Sequence, residues 1–182
     1  MIGKPPAANG LRGYQRLELV RKSYEVERFH TIFTFRGQNL GNHSANVAMI
    51  LDQLFPDAGK HVIIAALTHD LSEIHSGDIP APAKWASPPL QEGSKNLQGS
   101  FNYTHGFDFE LTDSEKDMIK IADCMELMFF CIEEYRLGNK GVLTVFHRIT
   151  DYFISKKYQT TTPNCQPLFR QLRLMMEKVS NG

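Results

Sequence analysis

The sequence predicts an all-α protein, a bundle of about six helices. Apolar residues recur at helical spacing through most of the chain. Thr112-Asp113-Ser114-Glu115 is a capping box, and it opens a long apolar run. The one stretch that alternates like a strand, Phe29 to Gly37, has no partner strand in view, so an irregular connection is expected there.

The first helix is expected from Leu11 to about Phe29, with Leu11, Tyr14, Leu17, Val20 and Tyr24 on its apolar stripe. A second runs from about Asn42 to Phe55 and ends at Pro56; His43 sits in its first turn, four residues before Val47, on the inward side. A third begins at Gly59-Lys60, continues through Val62, Ile63, Ala66, Leu67 and Ile74, and stops at Gly77, Pro80 and Pro82. Pro80 to Phe109 lacks periodicity and reads as a long loop, a common setting for lids and binding segments. The fourth helix runs from the capping box to Gly138 and is apolar nearly all round until Glu133, which makes it the central buried helix. A fifth is expected from about Gly141 to Tyr158. A sixth follows Pro163, with Leu168, Phe169, Leu172, Met175, Met176 and Val179 inward.

The 182 residues are expected to form one domain, residues 11–182, behind a flexible lead-in over residues 1–10. A formal net charge of +0 gives no field that would attract nucleic acid or an anionic membrane surface. No apolar run approaches the ~20 residues of a membrane span, and the N-terminus lacks a hydrophobic signal core. Cys124, Cys131 and Cys165 are too few and too scattered for a disulfide framework, which points to a reducing, cytoplasmic setting.

Against this ordinary background, charged side chains stand where a core is expected. His69 and Asp70 interrupt an apolar helix, and Asp123 lies midway along the central one, between Ala122 and Cys124. Burying such groups is unfavourable unless they are hydrogen-bonded, paired or bound to a metal. For Asp123 an arginine from another helix or a hydrogen-bonding cluster would suffice. His43, His69, Asp70 and Asp123, however, all come from inward-facing parts of different or successive helices. Two imidazoles and two carboxylates suit a divalent first-row ion better than Ca²⁺. Glu73 follows His69 at i+4 on the same helix face, and Asp78 lies just past the helix end.

The order His43…His69-Asp70…Asp123 resembles the HD-domain metal-dependent phosphohydrolases. The closer match is to the YfbR-like 5′-deoxynucleotidases and the small phage dATP triphosphohydrolases (DatZ-like). It rests on Asn42-His43-Ser44, Thr68-His69-Asp70-Leu71-Ser72-Glu73, Gly77-Asp78-Ile79-Pro80-Ala81-Pro82-Ala83-Lys84-Trp85 and Lys120-Ile121-Ala122-Asp123. Gln38-Asn39-Leu40-Gly41-Asn42 replaces the acidic pattern usual before the first histidine, and the stretch from Asp78 to Asp123 is shorter than in the bacterial deoxynucleotidases.

The resemblance implies an HD-domain helical bundle in which His43, His69, Asp70 and Asp123 hold one divalent ion, Zn²⁺, Co²⁺ or Mn²⁺. It makes Glu73 and Asp78 the catalytic acidic pair. It assigns Arg28, Lys84 and Lys120 to phosphate, and places Phe29 and Trp85 near the nucleotide. The implied reaction is hydrolysis at the α-phosphate of a free 2′-deoxynucleotide, either a dNMP or a dNTP such as dATP. A homo-oligomer, dimer or larger, is implied as well, in the cytoplasm, or in a host's cytoplasm if the gene belongs to a phage. The alternative is a non-catalytic, metal-containing all-α regulatory module, against which the retained Glu73 and Asp78 argue.

Overall fold

A computed structural model of the protein describes residues 10–181. The expected lead-in lies outside them except at Gly10, where helix α1 (Gly10–Lys22) begins. α1 ends well before Phe29, because a 3₁₀ turn over Ser23–Glu25 redirects the chain, with the Ser23 hydroxyl donating back to the Val20 carbonyl at 2.6 Å. Its expected stripe holds only in part. Tyr14, Leu17 and Tyr24 are exposed, while Val20, together with Leu19, packs toward Leu71, Phe101 and Phe107.

Two short strands follow, β1 (Glu27–Arg28) and β2 (Gln38–Asn39), paired antiparallel with Arg28 opposite Gln38. Residues 29–37 are the irregular loop between them. Two residues per strand are too few for alternation to reveal, which is why the pairing was not expected. Helix α2 (Leu40–Leu54) starts directly from β2, its first turn capped by the Asn39 side chain, which accepts from Asn42 N at 2.8 Å.

Helix α3 (Lys60–Thr68) is shorter than expected, and α4 (Glu73–Ser76) continues after a break. Between them the backbone bonds run i to i−3, Leu71 N to Thr68 O and Glu73 N to Asp70 O, so the chain tightens into a 3₁₀-like turn at His69-Asp70.

The expected long loop is in fact two helices, α5 (Ala81–Ala86) and α6 (Pro88–His105). Pro88 and Pro89 fill the first positions of α6, where no amide partner is needed, so residues that read as breakers open a helix behind a Ser87 cap. Helix α7 (Asp113–Arg136) is the central one, with both arms of the Thr112–Glu115 capping box formed. Helices α8 (Leu143–Ser155), α9 (Tyr158–Thr161) and α10 (Gln166–Asn181) complete the chain.

α7 packs against α2, α3, α8 and α10. Val47, Leu51, Val62, Ala66, Ile121, Met125, Met128 and Ile132 form the core between them, extended by Phe153 and Phe169, whose rings stack 4.3 Å apart. Each such side chain contributes on the order of 1.5–3 kcal/mol on burial. α2, α3 and α7 are thereby fixed against one another, and they carry His43, His69 and Asp123. Among the described residues, no helix is long and apolar enough to cross a membrane.

Candidate metal centre

His43 is fully buried on α2 and donates from Nδ1 to Glu126 Oε2 at 2.7 Å. His69, at the end of α3, donates from Nδ1 to the Ala66 carbonyl at 2.8 Å. These bonds leave both Nε2 atoms as acceptors, buried and with no hydrogen-bond partner among the described residues. What they face are carboxylate oxygens. His43 Nε2 is 3.4 Å from Asp123 Oδ1 and 4.0 Å from Asp70 Oδ2, and His69 Nε2 is 3.1 Å from Asp70 Oδ2.

Lone pairs set against lone pairs at these distances repel unless a cation lies among them. Donor atoms of His43, His69 and Asp123 all fall within 4.8 Å of one another, a spacing that ligands ~2.1 Å from one ion can adopt. The donor set therefore fits a divalent metal. Without one, a proton serves as the cation. Burial pulls His69 down, but the Asp70 and Asp123 charges outweigh it and hold the imidazole at about 9.

Carboxylates and cations are interleaved around this cluster. Burial pushes Asp70 up, yet His69 and Arg28 draw it below the usual carboxylate range, with Arg28 Nη1 3.4 Å from Asp70 Oδ2. Burial acts likewise on Asp123, where Lys120 Nζ at 2.6 Å and the two imidazoles prevail and hold it well below that range. Lys120 itself is raised, chiefly by Asp123. Burial raises Glu73 to about 8, with Asp70 and Asp78 adding to the shift and Arg28 and Lys84 opposing it. Lys84 Nζ lies 3.7 Å from Glu73 Oε1, and Glu73 Oε2 is buried without a hydrogen-bond partner among the described residues.

Backbone conformation aims the rest. Phe29 has φ +59, uncommon for a side chain of its size, and stacks on Phe130 with centroids 4.4 Å apart and planes 1° from parallel. Its amide donates to Asp78 Oδ2 at 3.4 Å. Gly77, at φ +70 and ψ 168, occupies a region essentially confined to glycine and turns the chain from α4 so that Asp78 reaches that amide. The structure thus gathers Arg28, His43, His69, Asp70, Glu73, Asp78, Lys84, Lys120 and Asp123. Trp85 follows Lys84 on α5 and is 60 % exposed.

A family model described as 5′-deoxynucleotidase YfbR-like matches residues 16–102. The 5′-deoxynucleotidase YfbR of Shigella dysenteriae is 21% identical over 85% of this chain and 90% of its own length. A 5′-deoxynucleotidase of Shewanella oneidensis is 24% identical over 68% of this chain and 76% of its own. Two solved structures superpose over nearly the whole chain at 19% identity. They are the cyanophage S-2L HD phosphohydrolase DatZ, bound to dA and one catalytic Zn²⁺ ion (TM-score 0.63, 96% of this chain, 99% of DatZ), and an HD-domain phosphohydrolase from Listeria innocua (TM-score 0.64, 92% and 98%). The chain has the HD-domain fold.

Within this HD domain, three supporting residues escaped the sequence reading. Glu126, one turn after Asp123, is buried and accepts from His43, from Gln38 Nε2 at 2.7 Å and from Asn46 Nδ2 at 3.4 Å. Gln98 of α6 donates to the His69 carbonyl, and so ties the segment expected as a loop to the HD turn. Glu134 is fully buried and accepts from the amides of Phe35 and Arg36 at 2.7 Å each and from Asn139 Nδ2 at 3.0 Å. It fastens the loop that begins at Phe29, directly after Arg28, to α7. The only sequence signals for Glu126 were its i+3 spacing from Asp123 and its place in the apolar run of α7; Glu134, in the polar end of that helix, gave none.

Proposed function

We propose that the protein is a metal-dependent phosphohydrolase of free 2′-deoxynucleotides. One observation carries the reading. Two buried, unpaired imidazole nitrogens converge with Asp70 and Asp123, and Arg28, Glu73, Asp78 and Lys84 stand around the same point. His43, His69, Asp70 and Asp123 would hold one divalent ion, Zn²⁺, Co²⁺ or Mn²⁺, the first being the ion bound in DatZ. Such an ion polarises a phosphate oxygen and makes its bound water a better nucleophile at neutral pH.

The chain's own groups supply the remainder. A water oxygen forms the new bond to the α-phosphorus, and the bond from phosphorus to the 5′-oxygen breaks. A dNMP then gives phosphate and a dNTP gives tripolyphosphate, so one site serves either substrate. Arg28, Lys84 and Lys120 offset charge on the phosphate oxygens, Arg28 through a planar fork and the lysines as point charges. Glu73, held at about 8, keeps a proton near neutrality and is the group suited to move one between water and the leaving oxygen. A cleft of about 360 Å³ lined by Glu27, His30, Glu73, Ser76 and Asp78 gives the deoxynucleoside a place beside these groups. Asp78, at its edge, can accept from the sugar 3′-hydroxyl.

Among triphosphates we place dATP first, because DatZ carries dA. A single domain over residues 11–182, a homo-oligomer and a cytoplasmic location belong to the same proposal. The test is to incubate metal-loaded protein with dNMPs, NMPs and dNTPs, and to separate phosphate from tripolyphosphate. Deoxynucleoside release is expected with at least one of Mn²⁺, Co²⁺ and Zn²⁺. Complete inertness with all three, in protein that has bound the metal, would favour the regulatory module.

A further inference from the structure

We infer that Glu126 is the positioning residue of the metal centre, fixing which nitrogen of His43 is free to bind the ion. The inference rests on the reading of His43 as a ligand. His43 has no solvent exposure and its ring lies between two carboxylates, Glu126 at Nδ1 (2.7 Å) and Asp123 at Nε2 (3.4 Å). A neutral imidazole has one proton, and the nitrogen that carries it cannot bind a metal. The closer carboxylate takes it. With the proton at Nδ1, Nε2 presents its lone pair to the site.

Glu126 can do this only if its own orientation is fixed, and two amides fix it. Gln38 Nε2 and Asn46 Nδ2 both donate to Oε1, at 2.7 and 3.4 Å, which leaves Oε2 for His43. Glu126 is thus an acceptor at both oxygens, with three donors converging on it from β2 and α2. A neutral glutamine at position 38 can donate to a buried glutamate, whereas a second carboxylate would repel it.

A consequence separates this role from simple packing. Glu126→Gln keeps size and shape but replaces one acceptor by an NH₂ donor. Gln38 and Asn46 retain the new amide's oxygen, so its NH₂ group turns to His43 Nδ1. The imidazole must then accept at Nδ1 and carry its proton on Nε2, where the metal belongs. Partners behind metal-binding histidines typically contribute 10–100-fold to metal affinity.

The experiment compares wild type, Glu126→Gln, Gln38→Leu, His43→Ala and His69→Ala. It measures the His43 tautomer by ¹⁵N NMR of metal-free protein, and Co²⁺ affinity and visible spectrum by titration. Wild type should show the Nδ1–H form. Glu126→Gln should shift His43 toward Nε2–H and weaken Co²⁺ binding 10–100-fold with an altered spectrum, and Gln38→Leu should weaken it less. An unchanged tautomer, with Co²⁺ affinity within twofold of wild type, would overturn the inference. If His43→Ala and His69→Ala also bound Co²⁺ like wild type, the metal centre itself would be refuted, and this inference with it. Should Glu126→Gln fail to fold, the decision falls to Gln38→Leu: wild-type affinity and spectrum there overturn the role, and weakened binding supports it.

Discussion

His69 Nε2 stands 3.1 Å from Asp70 Oδ2, a buried nitrogen without a hydrogen-bond partner against the carboxylate next to it in the chain. The contact arises because α3 ends at Thr68 and the following turn is 3₁₀-like, which brings consecutive side chains to one point. Either a proton or a metal ion must sit between such groups, and the two compete.

That competition sets a pH dependence. Burial lowers His69, but Asp70 and Asp123 raise it to about 9, above its ordinary value near 6.5. A raised folded value means that protonation stabilises the metal-free protein fully below about 6.5 and that this contribution is lost as pH rises through about 9. Metal binding must displace the proton. Apparent affinity should therefore climb about tenfold per pH unit between 7 and 9 and then level off. Calorimetry in buffers of different ionisation enthalpy should find about one proton released per ion near pH 7; zero release would contradict the assignment.

Glu73 behaves differently. Burial, with Asp70 and Asp78, raises it to about 8. Its contribution to the metal-free fold is complete below the ordinary value near 4.5 and is lost as pH rises through about 8. Glu73→Gln, which cannot ionise, should gain stability relative to wild type between pH 5.5 and 9, by about 3 kcal/mol. Melting curves at the two pH values check this. The same variant should keep its metal and lose about 10²–10⁴ in kcat.

Glu134 anchors the loop that follows Arg28. Glu134→Ala strands the Phe35 and Arg36 amides and removes a partner of Asn139. Urea denaturation should show a loss of about 2–4 kcal/mol. Because Arg28 directly precedes this loop, KM should rise while metal stoichiometry stays intact.

Much of this site was legible because burial of charge is anomalous. Asp123 inside an apolar helix, and His69-Asp70 at the end of another, required partners, and His43 at the start of α2 was spaced to supply one. α7 was readable from the Thr112–Glu115 box and its apolar faces. The helices between Pro80 and His105 were not, because Pro88 and Pro89 punctuate a sequence without saying which side of them is helical, and α6 buries little more than Phe101. The break at His69 left no glycine or proline to mark it. Asn139 apart, Glu126 and Glu134 are satisfied by donors about 80 to 100 residues away, in β2, α2 and the hairpin loop, and local periodicity carries no trace of such distant partners.

The most direct test of the metal centre is elemental analysis of purified variants reconstituted with one equivalent of Zn²⁺ or Co²⁺. Wild type and Glu73→Gln should each retain about one ion per chain after gel filtration, while His69→Ala and Asp123→Ala should retain almost none. Full metal content in Asp123→Ala would show that α7 does not contribute a ligand, and would contradict the arrangement proposed for this site.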